Sequence, residues 1–154
     1  MLKPKLLRDF LTAQLPQLAR DPDKLLVFIE KGSLVSTLAS SNSFEYRYQL
    51  ALVLTDFTGD ADHLMLPLLV WVREHQYDLL ADPSKQDGIR FESEILNHDT
   101  SDIRIELDLS ERVRVELGID GRVTLTHLDE PPLDNLTGPN PWQLYLNGEL
   151  VAPA

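Results

Sequence analysis

Apolar residues recur at helical spacing in two parts of the chain. The first stripe follows Pro4 and consists of Leu6, Leu7, Phe10, Leu11, Leu15 and Leu18. This stripe predicts an amphipathic helix of about four turns. Pro16 interrupts it, so the helix is expected to end or bend near Leu15. A second helix is predicted over residues 61–77, where the stretch from Leu64 to Val72 is apolar nearly all round. Such a helix is expected to be buried on more than one side.

Alternation of apolar and polar residues predicts the strands, because successive side chains of a strand point to opposite faces. The clearest run places aromatic and aliphatic residues at every second position from Phe44 to Leu54. A longer run occupies the odd-numbered positions from Ile103 to Leu117, with Glu111 as the exception. Asp120-Gly121 is a hairpin turn signal that returns this strand through Val123, Leu125 and Leu128.

Weaker patterns predict further strands. Phe91 and Ile95 alternate with charged residues, and the stretch from Leu25 to Leu38 predicts a modest hairpin with its turn at residues 30–33. Helix, strands, helix and strands in this order indicate an α+β domain. We expect a single domain with a mainly antiparallel twisted β-sheet and two α-helices packed on one face. The charged strand positions are expected to face water or a polar partner.

The composition changes after residue 128, so we assign the core domain to residues 1–128 and a C-terminal arm to residues 129–154. Four prolines (Pro131, Pro132, Pro139 and Pro141) indicate an extended linker at the start of the arm. Asn147-Gly148 then predicts a β-hairpin. This hairpin either folds back on its own domain or docks on a neighbouring subunit. Because large amphipathic side chains are enriched at interfaces, the candidate interface residues are Trp142, Leu144, Tyr145, Leu146 and Leu150.

Composition and charge exclude several kinds of partner. The formal net charge is -11, from 25 acidic and 14 basic residues, so no direct nucleic-acid binding is expected. The longest apolar stretch, residues 64–72, is much shorter than the roughly 20 residues that span a bilayer, so no membrane partner is expected. Without a signal-peptide pattern, the protein is expected to be soluble and not exported by its own sequence. The absence of cysteine excludes disulfides, thiolate metal sites and a cysteine nucleophile.

One cluster has the composition of a metal site, namely Asp56, Asp60, Asp62 and His63. Helix capping explains this cluster better, with Asp60 as the cap and Asp62 complementing the positive end of the predicted helix. No Gly-x-Ser-x-Gly elbow and no phosphate-binding glycine loop occur in the chain. We therefore predict no catalytic residue, no metal site, no cofactor-binding site and no enzymatic activity.

Several stretches, in order along the chain, resemble the phage tail completion protein R family of contractile-tailed temperate phages. They are Met1-Leu2-Lys3-Pro4, residues 42–48, residues 55–60 with the following helix that contains Pro67 and Trp71-Val72-Arg73-Glu74, Glu130-Pro131-Pro132, and residues 144–151. Together these stretches extend over essentially the whole chain.

The resemblance implies a tail-terminator-like structural protein without cofactors, which finishes the tail before the head is attached. Its implied location is the tail of the virion, or of a headless tail-like particle, after assembly in the cytoplasm of the bacterial host. The expected partners are further copies in a ring, with a hexamer inferred from tail tubes, then tail tube or sheath proteins and head-tail connector proteins. If the ring exists, its lumen is expected to be acidic.

Two alternatives belong to other classes. The first is an assembly chaperone or adaptor that leaves the finished particle. The second is a small hydrolase or metal-binding protein that uses the residues from Asp56 to His63.

Overall fold

The computed structural model describes residues 1–36 and 42–130 in full, and the backbone of residues 143–146 and 149–153. The helices are α1 (Lys3–Gln14), α2 (Pro16–Arg20), α3 (Asp62–His75) and α4 (Asp78–Ala81), with 3-10 turns at Pro22–Lys24 and Pro83–Lys85. The strands are β1 (Leu25–Ser36), β2 (Phe44–Thr58), β3 (Ile89–Ile95), β4 (Thr100–Leu117), β5 (Val123–Leu128), β6 (Gln143–Leu146) and β7 (Glu149–Pro153).

A five-stranded antiparallel sheet in the order β1-β2-β4-β3, with β5 also paired to β4, forms the body of the fold. Strand β4 has 18 residues, long enough to pair with β3 over residues 101–107 and with β5 over residues 112–117. Both β3 and β5 therefore lie on the edge of β4 opposite β2. The predicted α+β class and antiparallel sheet are confirmed.

The hydrophobic core lies between one face of this sheet and two helices. The sheet side comes from even-numbered residues of β2 and odd-numbered residues of β4, including Leu50, Leu52, Leu54, Ile103, Ile105 and Leu107. The helix side comes from α1 and α3, including Leu7, Leu11, Leu64, Leu68 and Trp71. Each fully buried leucine or isoleucine of this kind stabilises the fold by about 1.5–3 kcal/mol relative to an exposed one. The predicted packing of two helices on one face is confirmed.

Pro16 ends a helix, whereas Pro67 lies inside one. Pro16 follows Leu15, whose extended backbone (φ -114°, ψ 104°) separates α1 from α2. The residue before a proline is disfavoured in helical conformation, which explains the break. Pro67 lies buried inside α3, and the helix continues through it.

The predicted hairpin within residues 25–38 is wrong. Strand β1 runs without a turn from Leu25 to Ser36 and pairs with β2 throughout. A bulge between Ile29 and Lys31 accommodates the polar residues that suggested the turn. The extra residue, Glu30, accepts a hydrogen bond from Arg104 of β4. A bulge lets one residue leave the register without ending the strand.

The C-terminal strands form a separate two-stranded sheet. Residues Gln143–Leu146 pair antiparallel with Glu149–Pro153. The two strands flank Asn147-Gly148, as the hairpin turn signal predicts.

Candidate assembly surfaces

A buried lysine joins four parts of the chain. The Nζ of Lys3 donates hydrogen bonds to Gln76 Oε1 (2.6 Å) and to the Ser110 carbonyl oxygen (2.6 Å). It also lies 3.2 Å from Glu130 Oε1, in an ion pair whose side chains are only 9% and 18% exposed. We call these four residues the Lys3 clamp. The clamp ties the start of α1 and the end of α3 to the middle of β4 and to the residues after β5.

Between β3 and β5, a short part of β4 has no neighbouring strand on one edge among the described residues, and its backbone groups bond to other parts of the chain. Along its edge opposite β2, β4 pairs with β3 up to Leu107 and with β5 from Arg112 onward. In the gap, the Ser110 N–H donates to Gln76 Oε1 (3.1 Å) and the Asp108 N–H donates to the Gly88 carbonyl (2.9 Å). Backbone polar groups in a fold require partners, and here the Gln76 side chain serves Ser110 while the Gly88 backbone carbonyl serves Asp108.

Glu111 is the exception in the alternation of β4, and its carboxylate is buried beside the clamp. It accepts hydrogen bonds from the Leu2 N–H (2.7 Å) and from the Tyr48 hydroxyl (2.6 Å). His127 Nδ1 lies 3.4 Å from the same carboxylate. Burial raises the pKa of Tyr48, and the hydrogen bond to Glu111 and the charge of that carboxylate raise it further. The arrangement anchors the start of α1 to β4, a role that the sequence pattern alone does not reveal.

The sheet face away from the helices carries a ladder of alternating charges. Arg90 lies 3.0 Å from Asp108 and 3.3 Å from Glu106, and Arg104 lies 3.3 Å from Glu106 on its other side. The Arg104 guanidinium also covers the Phe28 ring, 5.6 Å from its centroid. Although desolvation raises the pKa of Glu106, hydrogen bonds from Arg90 and Arg104 lower it overall. This surface suits water or a polar partner, as the charged strand positions predict.

The hairpin formed by residues 112–117 of β4 and by β5 is apolar on one face. We call it the β4–β5 hairpin. The side chains of Leu117, Val123 and Leu125 are 74%, 57% and 61% exposed. Their face continues that of Val113, which is buried in the body of the sheet. Contiguous exposed apolar residues of this kind mark interaction sites.

The opposite face of the β4–β5 hairpin is polar. Arg114, Glu116, Thr124 and Thr126 occupy the alternate positions there. The sequence correctly predicts the two strands, but alternation does not tell how far a strand extends beyond the helices that cover it.

The predicted subunit-interface residues lie in or next to the C-terminal hairpin. Leu144, Tyr145 and Leu146 belong to β6, Leu150 belongs to β7, and Tyr145 pairs with Leu150. The structure describes only the backbone at these positions, and Trp142 lies outside the described residues. Their role in subunit contact remains a prediction.

The acidic cluster near α3 is used for local backbone structure. Asp60 Oδ1 accepts a hydrogen bond from the Asp62 N–H (2.9 Å), a local turn contact just before α3. The N-cap of α3 is Ala61 and not Asp60 as predicted. Asp56 has a positive φ of 50°, and its N–H donates to Asp102 Oδ1 (2.9 Å) at the bulge of β2. Within residues 1–36 and 42–130, the structure shows no group of three or more acidic or histidine side chains placed to hold a metal ion.

In the same described part of the chain, every helix is too short or too polar to span a membrane.

Comparison with known proteins identifies the class of protein to which the chain belongs. The model of the family described as P2 phage tail completion protein R (GpR) matches residues 1–131. The chain is also 44% identical over 153 residues to Tail completion protein R of Escherichia phage P2, across 99% of this chain and 97% of that protein. These matches make the chain a bacteriophage tail protein.

More specifically, the chain belongs to the P2 phage tail completion protein R family, as the sequence resemblance indicates. No solved structure matches the chain at a significant level.

Proposed function

We propose that the chain is a structural, non-enzymatic tail completion protein that caps the head-proximal end of a contractile tail and prepares it for head joining. The observation that carries this proposal is the 44% identity to Tail completion protein R of phage P2, which extends over 99% of the chain. Because the match covers 99% of this chain and 97% of the relative, neither protein carries a long terminal segment that the other lacks.

We further propose that the protein acts as a ring of identical subunits, with six copies if it follows the symmetry of a tail tube. Two surfaces support this proposal, namely the apolar face of the β4–β5 hairpin and the C-terminal hairpin. They are different surfaces of one chain, so a contact between them would be head-to-tail. Head-to-tail contacts repeated by rotation close into a ring.

The partners in this proposal are tail tube or sheath proteins on one side of the ring and head-tail connector proteins on the other. The charge ladder of Arg90, Arg104, Glu106 and Asp108 supports a polar contact, because exposed charge pairs favour specific orientation more than tight binding. Assembly would take place in the host cytoplasm and the protein would remain in the virion tail.

Deletion of the gene from its phage or prophage, followed by electron microscopy, tests the function. We expect tails that are absent, abnormal in length or unable to join filled heads, and rescue by the wild-type gene supplied in trans. Normal infectious particles after deletion would overturn the proposal. Mass spectrometry of purified particles separates the tail component from the assembly chaperone, since a chaperone would be missing from them.

A further inference from the structure

The main sheet ends in two strands, β1 and β3, each of which pairs on one side only among the described residues. Strand β1 has twelve residues, and its outer edge is open along the whole strand in this part of the chain. The seven residues of β3 form the other open edge. Strands β6 and β7 belong to a separate sheet and pair with neither edge. An open edge presents unpaired backbone N–H and C=O groups, to which another strand can bind.

Both edge strands expose apolar side chains on the face of the sheet that the helices cover further inward. On β3, Phe91 and Ile95 lie on the same face as the buried Ile105, but they are 65% and 81% exposed. On β1, Ile29 and Leu34 lie on this face as well and are 37% and 64% exposed. Joining the two edges would bring these apolar side chains together and remove them from water, which is favourable.

The opposite face of the sheet, which carries the charge ladder, has free charges of opposite sign at its two edges. Lys31 of β1 lies on this face, and so do Glu92 and Glu94 of β3. Within the described part of the chain, none of these three side chains has an ion-pair partner. Opposite charges on facing strands stabilise their pairing, whereas like charges oppose it. The charges therefore favour β1 against β3 over two copies of the same edge.

The directions of the strands also fit a second copy of the chain. Strands β1, β2, β4 and β3 alternate in direction, so β1 and β3 run opposite ways. A copy related by rotation about an axis along the strands keeps their direction, so its β1 lies antiparallel to β3 of the first copy. With Lys31 opposite Glu92, all of β3 pairs within the length of β1, and Phe91 lies opposite Gly32. An aromatic side chain in this position covers the backbone that a strand glycine leaves exposed.

We propose that β3 of one copy pairs antiparallel with β1 of the neighbouring copy, with Lys31 beside Glu92, so that the sheets of all copies join into one continuous sheet. This inference rests on the ring proposed above and identifies a contact that joins its copies. Each copy contributes both edges, so the last open edges disappear only when the ring is complete.

Disulfide trapping tests this contact without background, because the chain contains no cysteine. Full-length Lys31→Cys protein is mixed with full-length Glu92→Cys or Glu94→Cys protein under mild oxidation. All three positions are exposed, so these substitutions should leave the fold intact. We expect a disulfide-linked heterodimer with at least one of the two β3 variants. Ser93→Cys is the matched control, because its exposed side chain points to the opposite face of β3, and it should give at least about tenfold less heterodimer.

A full-length protein that carries both Lys31→Cys and the reactive β3 substitution tests whether the contact repeats around a ring. Its two cysteines lie on opposite edges of one sheet, three strand spacings or about 14 Å apart. A disulfide requires Cα atoms within about 7 Å of each other, so these cysteines can bond only between copies. We expect a series of linked oligomers that ends at the closed ring, and a series that stops at the dimer would contradict a repeating contact.

Three results of the mixing experiment would overturn the proposal. Equal trapping with Ser93→Cys would show that the collisions are not specific for one face of β3. Dimers of Lys31→Cys protein alone, in the same yield as the heterodimer, would mean that two β1 edges meet. Absence of a heterodimer with both Glu92→Cys and Glu94→Cys would remove the contact.

The gene deletion distinguishes failure of this contact from failure of the tail completion role. A defective tail in the deletion, together with no trapping, would remove only the contact between β1 and β3. Normal infectious particles in the deletion would remove the tail completion role, whatever the trapping shows.

Discussion

Replacing Lys3 by methionine tests whether the Lys3 clamp stabilises the fold. The substitution removes the ammonium group and keeps a long, flexible apolar side chain, so little cavity is created. It eliminates the hydrogen bonds to Gln76 and Ser110, both 2.6 Å, and the ion pair with Glu130 at 3.2 Å. The Ser110 carbonyl and the Glu130 carboxylate then lose their described partner in a mostly buried site.

The contacts of Lys3 determine how much the Lys3→Met substitution should lower the free energy of unfolding. Hydrogen bonds to a charged group contribute about 1.5–3 kcal/mol each, but Gln76 Oε1 keeps the bond from the Ser110 N–H. Glu130 is partly accessible to water, which reduces the cost of leaving it unpaired. We therefore expect Lys3→Met to lower the free energy of unfolding by about 2–4 kcal/mol.

Urea unfolding followed by tryptophan fluorescence measures this change, because Trp71 is buried in the core. With a slope of about 2 kcal/mol per molar urea, the midpoint should fall by about 1–2 M. Lys5→Met is the matched control, since Lys5 is exposed on the same helix and should change the free energy by less than about 0.5 kcal/mol. Equal midpoints for the two variants would refute the structural role of the clamp.

Three further predictions address other features of the structure. Tyr48 has a pKa raised above the ordinary value of 10.0, so its contribution to stability is fully present below pH 10 and is lost as the pH rises further. Unfolding measured between pH 9 and 11 should therefore show a smaller alkaline loss for Tyr48→Phe than for the wild type, and identical slopes would contradict the burial of the neutral hydroxyl. Because Asp56 has a positive φ, Asp56→Val should destabilise the fold by about 1–2 kcal/mol and Asp56→Gly by less than about 0.5 kcal/mol; equal thermal shifts would argue against strain at this bulge. Leu125→Asp should raise the dissociation constant of the oligomer at least about tenfold in sedimentation experiments, whereas Thr124→Asp on the polar face should leave it nearly unchanged.

The regular parts of the fold could be predicted because one physical rule dominated each of them. The period-two pattern from Phe44 to Leu54 and the odd-numbered run after Ile103 identify strands, since one face of each is buried. Pro16 marks the break after α1 for a steric reason that acts locally. Where local chemistry decides the structure, a single sequence is sufficient.

Sequence patterns failed or were silent where contacts between residues far apart in the chain determine the structure. Polar residues near Glu30 have the composition of a turn, but pairing with β2 and the contact with Arg104 keep β1 continuous. Lys3 and Gln76 are separated by 73 positions, so no local pattern could connect them. Leu125 obeys the same alternation as a buried residue, yet its side chain is 61% exposed in the described part of the chain.

The position of the protein in purified particles tests the central claim most directly. Particles carrying an epitope-tagged, functional copy would be labelled with gold-conjugated antibody and imaged by electron microscopy. We predict label at the head-proximal end of the tail, opposite the baseplate. Label at the baseplate end, or particles that are infectious and contain none of the protein, would contradict its assignment as a structural component that caps the tail.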